Sequence, residues 1–159
     1  MTEAEAELDC CLSLEQSVYL VELLRRRQTQ LWRRLGTDAE PMPGLADIGD
    51  LMLLWAGLLP ERADSTGLTL PGLIEHGRAA YALLAAEGRG AVYADLARDF
   101  IRLLDLLYAM REIDTGVPAL TPLQAWDLSQ SLGSRYAERL LARAAPGACP
   151  APLAGNRLH

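Results

Sequence analysis

The chain has 159 residues, half of them hydrophobic, and a formal net charge of −6. One domain with a substantial core is expected at this length and composition, which excludes intrinsic disorder over most of the chain. The acidic balance excludes a general nucleic-acid binder, whose affinity comes mainly from neutralised phosphates. Leu and Ala dominate while Val, Ile and Phe are scarce, a bias towards helices and away from strands. All 15 basic residues are Arg, which fits codon drift in a high-GC genome better than any function.

In chain order, residues 1–12 read as an acidic, flexible N-terminus. Met1-Thr2-Glu3-Ala4-Glu5-Ala6-Glu7 is acidic where a secretory signal would be basic and then apolar. Ser13 and Gln16 form a capping-box pattern that opens a first helix, ended by Gly36. Leu14, Val18, Val21, Leu24, Leu31 and Leu35 form its apolar stripe.

A second helix runs from Asp47, a candidate N-cap, to Leu59, with Pro60 as its stop. It is apolar on nearly every side, so it is expected to be buried all round. It also carries Gly49 and Gly57. A glycine inside a helix costs about 1 kcal/mol relative to Ala, so close approach by a backbone or a ligand is the expected reason for both.

The third helix, about Leu70 to Glu87, is capped by Thr69, has Pro71 in its first turn and contains Gly77. The fourth runs from Ala91 to Thr115, with Leu96, Phe100, Leu103, Leu107 and Met110 as its stripe. Leu104 and Leu106 widen that stripe, which leaves the Arg98, Arg102, Asp105 and Ala109 line for solvent. Thr121-Pro122-Leu123-Gln124 opens a fifth helix with an N-cap, a Pro at N1 and a capping box. It is expected to continue to Ala145, with Trp126, Leu132, Tyr136 and Leu140 on one face. Short connections favour antiparallel neighbours. The expected fold is therefore an all-α, single-domain bundle of about five helices over residues 13–145, with a disordered Pro/Ala/Gly tail over 146–159.

Chemistry-bearing residues are few. The longest apolar run, Leu51 to Leu59, is half the length of a membrane span, and the chain reads as a cytoplasmic protein with no membrane segment. Cys10 and Cys11 are adjacent and Cys149 lies in the tail, which gives neither a disulfide framework nor a metal spacing. Glu22, Asp47 and Asp50 could form a carboxylate metal site, but nothing in their spacing demands one. No cofactor motif is present, and no metal or cofactor is expected.

The weak catalytic candidates are His76, Asp50 and Tyr81. His76 flanks the Leu73/Ala80 face, where a structural role is the simpler reading. Asp50 suits a helix N-terminus or an Arg partner. Tyr19, Tyr81 and Tyr93 fit the edge of a core. Gly49, Gly57 and Gly77 are candidate binding positions, as a helix crossing or a pocket. Trp126 and Tyr136 are candidate interface residues. Arg26, Arg27, Arg33 and Arg34 form a basic stripe that suits an anion or an acidic partner.

Val18-Tyr19-Leu20-Val21-Glu22-Leu23-Leu24, the Gly49-Asp50 to Leu58-Leu59-Pro60-Glu61 segment, Gly77-Arg78-Ala79-Ala80-Tyr81 and Tyr93-Ala94-Asp95-Leu96-Ala97 occur in one order. In that order the chain resembles a group of small, all-helical bacterial proteins. The resemblance covers residues 13 to about 115 and implies a bacterial cytoplasmic protein; it brings no reaction, cofactor or catalytic residue. The leading expectation is a non-enzymatic interaction or regulatory protein, a homodimer or the partner of another protein, acting through an apolar helix face. The alternatives are a small-molecule-binding bundle and an accessory subunit of a biosynthetic enzyme.

Overall fold

The computed structural model describes residues 2–8, 11–30, 44–61, 63 and 67–144. Among them all regular structure is helical, in eight helices: α1 (Thr2–Leu8), α2 (Leu14–Gln30), α3 (Leu45–Leu58), α4 (Leu70–Ala86), α5 (Ala91–Arg98), α6 (Phe100–Thr115), α7 (Pro122–Leu132) and α8 (Arg135–Ala144). The all-α class agrees with the sequence, and the larger count has three causes.

The first is the N-terminus. Residues 2–8, expected to be flexible, form a short helix whose Ala4 and Leu8 are buried. These two lie four apart and so share one face, which packs on α6.

The second is a break at Asp99, whose backbone leaves the helical range at φ −97°, ψ 16°. Gln16 explains it. Its amide Nε2 donates to the Asp95 carbonyl at 3.3 Å and to Asp99 Oδ2 at 2.8 Å. Asp also competes for backbone partners in its own right. Gln16 Oε1 still accepts from Ser13 N at 3.0 Å, completing the expected capping box while the amide bridges to α5.

The third is the pair Gly133-Ser134. Gly133 sits in the left-handed region at φ 65°, which ends α7. Ser134 then starts α8 as its cap, with Oγ accepting from Ala137 N at 3.1 Å.

Several boundaries match the sequence. Thr69 Oγ1 accepts from Gly72 N at 3.2 Å, and Thr121 and Gln124 form the expected capping box. Asp47, however, does not stand at the N-cap. That position belongs to Gly44, and Asp47 reaches back to accept from Gly44 N at 3.1 Å.

The centre of the fold also differs from expectation. On α3, Leu51, Met52, Trp55 and Leu58 are only half-buried. The helix buried on every side is α6, where residues 103 to 109 are all in the core. Asp105 and Ala109, expected to face solvent, are buried; Arg98 and Arg102 are exposed as expected. α3 packs on α4 and α6, α4 on α5, and α8 on α6 and α7. Arg111 of α6 secures the end of α3, donating to the Leu58 carbonyl at 3.0 Å and pairing with Glu61 at 2.8 Å. A cation there also meets the negative end of the helix dipole. No helix among the described residues is long and apolar enough to cross a membrane.

Candidate functional site

The three glycines proposed as a crossing or a pocket are filled, and by side chains of this chain. A Cβ at Gly49 would collide with the Tyr81 ring, and one at Gly57 with Leu107 Cδ1. At Gly77 the obstacles are Phe100 Cζ at 2.5 Å and Met52 Cβ at 3.0 Å. The expectation of close approach holds, but neither a backbone nor a ligand occupies the space. Aromatic and aliphatic side chains of α3, α4 and α6 do.

Gly49 lets the Tyr81 ring pack against α3, and the next residue, Asp50, takes up its hydroxyl. Asp50 Oδ1 accepts from Tyr19 at 2.6 Å and from Tyr81 at 2.8 Å. Tyr93 completes the cluster, with ring centroids 6.2 Å from Tyr19 and 6.0 Å from Tyr81. Phe100 adds a fourth ring, 6.0 Å from Tyr81. Burial, reinforced by the Asp50 carboxylate, pushes the Tyr19 and Tyr81 hydroxyls well above the usual tyrosine range. Neither can ionise near neutral pH, so neither serves as a base there. What the group does is join α2, α3, α4, α5 and α6 through one carboxylate and four rings.

His76 is brought to none of these residues. It is exposed, and its Nδ1 lies 2.7 Å from the Gly72 carbonyl of its own helix. The three catalytic candidates therefore divide, with Asp50 and Tyr81 together in the cluster and His76 outside it.

A second polar group, which the sequence did not suggest, lies between α6 and α8. Asp105 accepts from Ser134 Oγ at 2.5 Å and from Arg135 N at 2.9 Å. It thereby satisfies the orphan N–H groups at the start of α8. Burial raises its carboxyl to about 6, against the lowering effect of these donors. The only signal in the sequence was a lone Asp on a helix otherwise apolar around it.

Tyr136, expected at an interface, is buried beside it. Its hydroxyl donates to Glu112 Oε2 at 2.6 Å and accepts from Ala119 N at 2.9 Å. Arg143 holds the same carboxylate at 3.0 Å. Burial works against the Glu112 charge, but the bonds from Arg143 and Tyr136 outweigh it and hold Glu112 below the usual carboxylate range.

The Tyr108 ring packs on Tyr136 with centroids 5.4 Å apart, and its hydroxyl is buried without a hydrogen-bond partner among the described residues. An unmet buried hydroxyl costs about 1–3 kcal/mol. Tyr108→Phe is therefore expected to raise the unfolding free energy by about 1 kcal/mol, measured by urea denaturation; a loss of stability would show that the hydroxyl is satisfied.

The carboxylates suggested for a metal are held apart by other bonds. Asp47 caps α3, Asp50 serves the tyrosines, and Glu22 pairs with Arg26 at 3.2 Å. No cluster of three possible ligands occurs among the described residues. Arg26 is exposed on α2. The Arg27 side chain, Arg33 and Arg34 lie outside the described residues, as do Cys10, Cys149 and the tail.

Among the described residues, two helices each present a pair of exposed large apolar side chains within one turn. On α7, Leu123 is 71% and Trp126 53% exposed. Of the α7 residues one turn away, Pro122, Ser129 and Gln130 carry no charge, and Asp127, four after Leu123, carries one. On α2, Leu14 is 80% and Val18 50% exposed, flanked by Glu15 and Glu22. Of the two interface candidates, then, Trp126 lies at the surface and Tyr136 does not. No protein-family model, curated protein or solved structure matches this chain.

Proposed function

We propose that the chain is a non-enzymatic interaction or regulatory protein of a bacterial cytoplasm, acting as a homodimer through the apolar face of α7. The observation that carries this reading is the pairing of exposed Leu123 and Trp126 on a stripe where Asp127 is the one charged residue of α7 a turn away. A chain of net charge −6 meets a second copy most easily where each surface carries little charge. Trp is also among the residue types that anchor interfaces. The residues nominated for catalysis support the same view, because Asp50 and Tyr81 are bonded to each other within the fold while the exposed His76 lies apart from them.

One short helix against its copy makes a small contact, at the weak end of specific interfaces. Light scattering should therefore show an average mass that rises from 17.3 kDa towards twice that value as concentration increases. The double variant Leu123→Ser/Trp126→Ser should remain at 17.3 kDa with an unchanged circular dichroism spectrum. A wild-type chain that stays monomeric throughout, or a variant that associates as the wild type does, would overturn the proposal.

A further inference from the structure

The second exposed apolar pair has a different chemistry around it. Leu14 and Val18 stand four residues apart on α2 and so share one face. With the half-buried Tyr19 and with Val92 of α5 they form the apolar part of a shallow cavity of about 350 Å³. The only charged residues lining it are Glu15 and Glu22. We infer that this face of α2 and α5 docks a basic amphipathic helix of another protein.

The acidic rim selects the occupant. A second copy presenting this same face would bring like charge to Glu15 and Glu22, whereas an incoming helix rich in Arg or Lys is attracted. Helices that enter grooves do so through anchors at i and i+3 or i+4, the spacing at which Leu14 and Val18 are themselves presented. Glu22 already pairs with Arg26, but that contact is exposed on both sides. An exposed pair of this kind contributes little, so an arriving cation can share or displace it. The floor is preformed as well. Tyr19 is fixed from beneath by its bond to Asp50, so its ring need not be ordered on binding.

The test uses a fluorescently labelled synthetic helix of Leu and Lys in amphipathic order, a scrambled peptide of the same composition, and fluorescence anisotropy. The amphipathic peptide should bind the wild-type chain measurably more tightly than the scrambled one. Leu14→Ser/Val18→Ser and Glu15→Gln/Glu22→Gln should each weaken it by about tenfold or more. Leu123→Ser/Trp126→Ser should bind as the wild type does. All these side chains are exposed, and a circular dichroism spectrum confirms folding of each variant. The inference is overturned if the scrambled peptide binds equally well, if both α2 variants bind like the wild type, or if no binding is seen.

Discussion

Asp105→Ala is expected to lower the unfolding free energy by about 3 kcal/mol, because it orphans several buried donors at once. Ser134 Oγ and Arg135 N lose their acceptor, and α8 loses the carboxylate at its positive end. Asp105→Asn keeps an acceptor for Arg135 N and should lose about 1 kcal/mol. Urea denaturation at neutral pH separates the two variants; equal losses would mean that volume rather than hydrogen bonding is at stake.

The same residue gives stability a characteristic pH dependence. Its folded value of about 6 lies above the ordinary 3.8, with burial as the main cause, so the folded state holds this proton more tightly than the unfolded chain does. Its contribution is fully present below the ordinary value and is lost as pH rises through about 6. The size is about 3 kcal/mol at most, from a difference of about two pH units.

Glu112 and Asp99 act in the opposite sense. Burial opposes their charged forms, but Arg143 and Tyr136 outweigh it at Glu112, and Gln16, Arg98 and Arg102 do so at Asp99. Both are held below their ordinary values of 4.5 and 3.8. Their contributions are lost only as pH falls below that range. Between pH 4.5 and about 6 the wild type should therefore become less stable as pH rises. Asp105→Asn should flatten that slope, and an unchanged slope would assign it to another group.

Gly49→Ala and Gly77→Ala should each destabilise the fold by about 2 kcal/mol through overpacking. The sign is the informative part, since Gly→Ala inside an unobstructed helix stabilises by roughly 0.5–1 kcal/mol. At Gly49 the obstacle is the Tyr81 ring, which cannot slide away because it is fully buried and tied to Asp50. At Gly77 a methyl would be caught between the buried Phe100 ring and the Met52 Cβ. A gain in stability at either position, measured by the same denaturation, would mean that these crossings have slack.

Local signals in the sequence were the legible ones. Ser13/Gln16, Thr69 and Thr121/Gln124 are short-range capping patterns, and all three form. The unusual glycines correctly marked close packing, because a helical glycine needs a neighbour to justify it. Its neighbour was not legible, since Tyr81 and Phe100 reach α3 and Gly77 only through tertiary structure. Likewise the apolar period of residues 91–115 runs straight through Asp99, and only the long-range bond from Gln16 shows why the helix breaks there. Gly133-Ser134 was readable as a stop followed by a start, but the period joining Leu132, Tyr136 and Leu140 masked it. Asp105 looked like a surface residue because a single carboxylate on a Leu-rich helix is cheapest in water. Its partners come from α8, some thirty positions away in sequence.

For the surface, exposure separated residues that composition had grouped. Trp126 and Tyr136 were equal candidates for an interface, yet one faces solvent while the other binds Glu112. The proposed homodimer consequently rests on α7 alone and makes no use of α8. Hydrogen exchange of the wild-type chain, compared between dilute and concentrated samples, tests that most directly. Slower exchange at high concentration confined to residues 121–132 is the predicted result. Exchange that is independent of concentration, or protection gained on α2 or α4 instead, would contradict it.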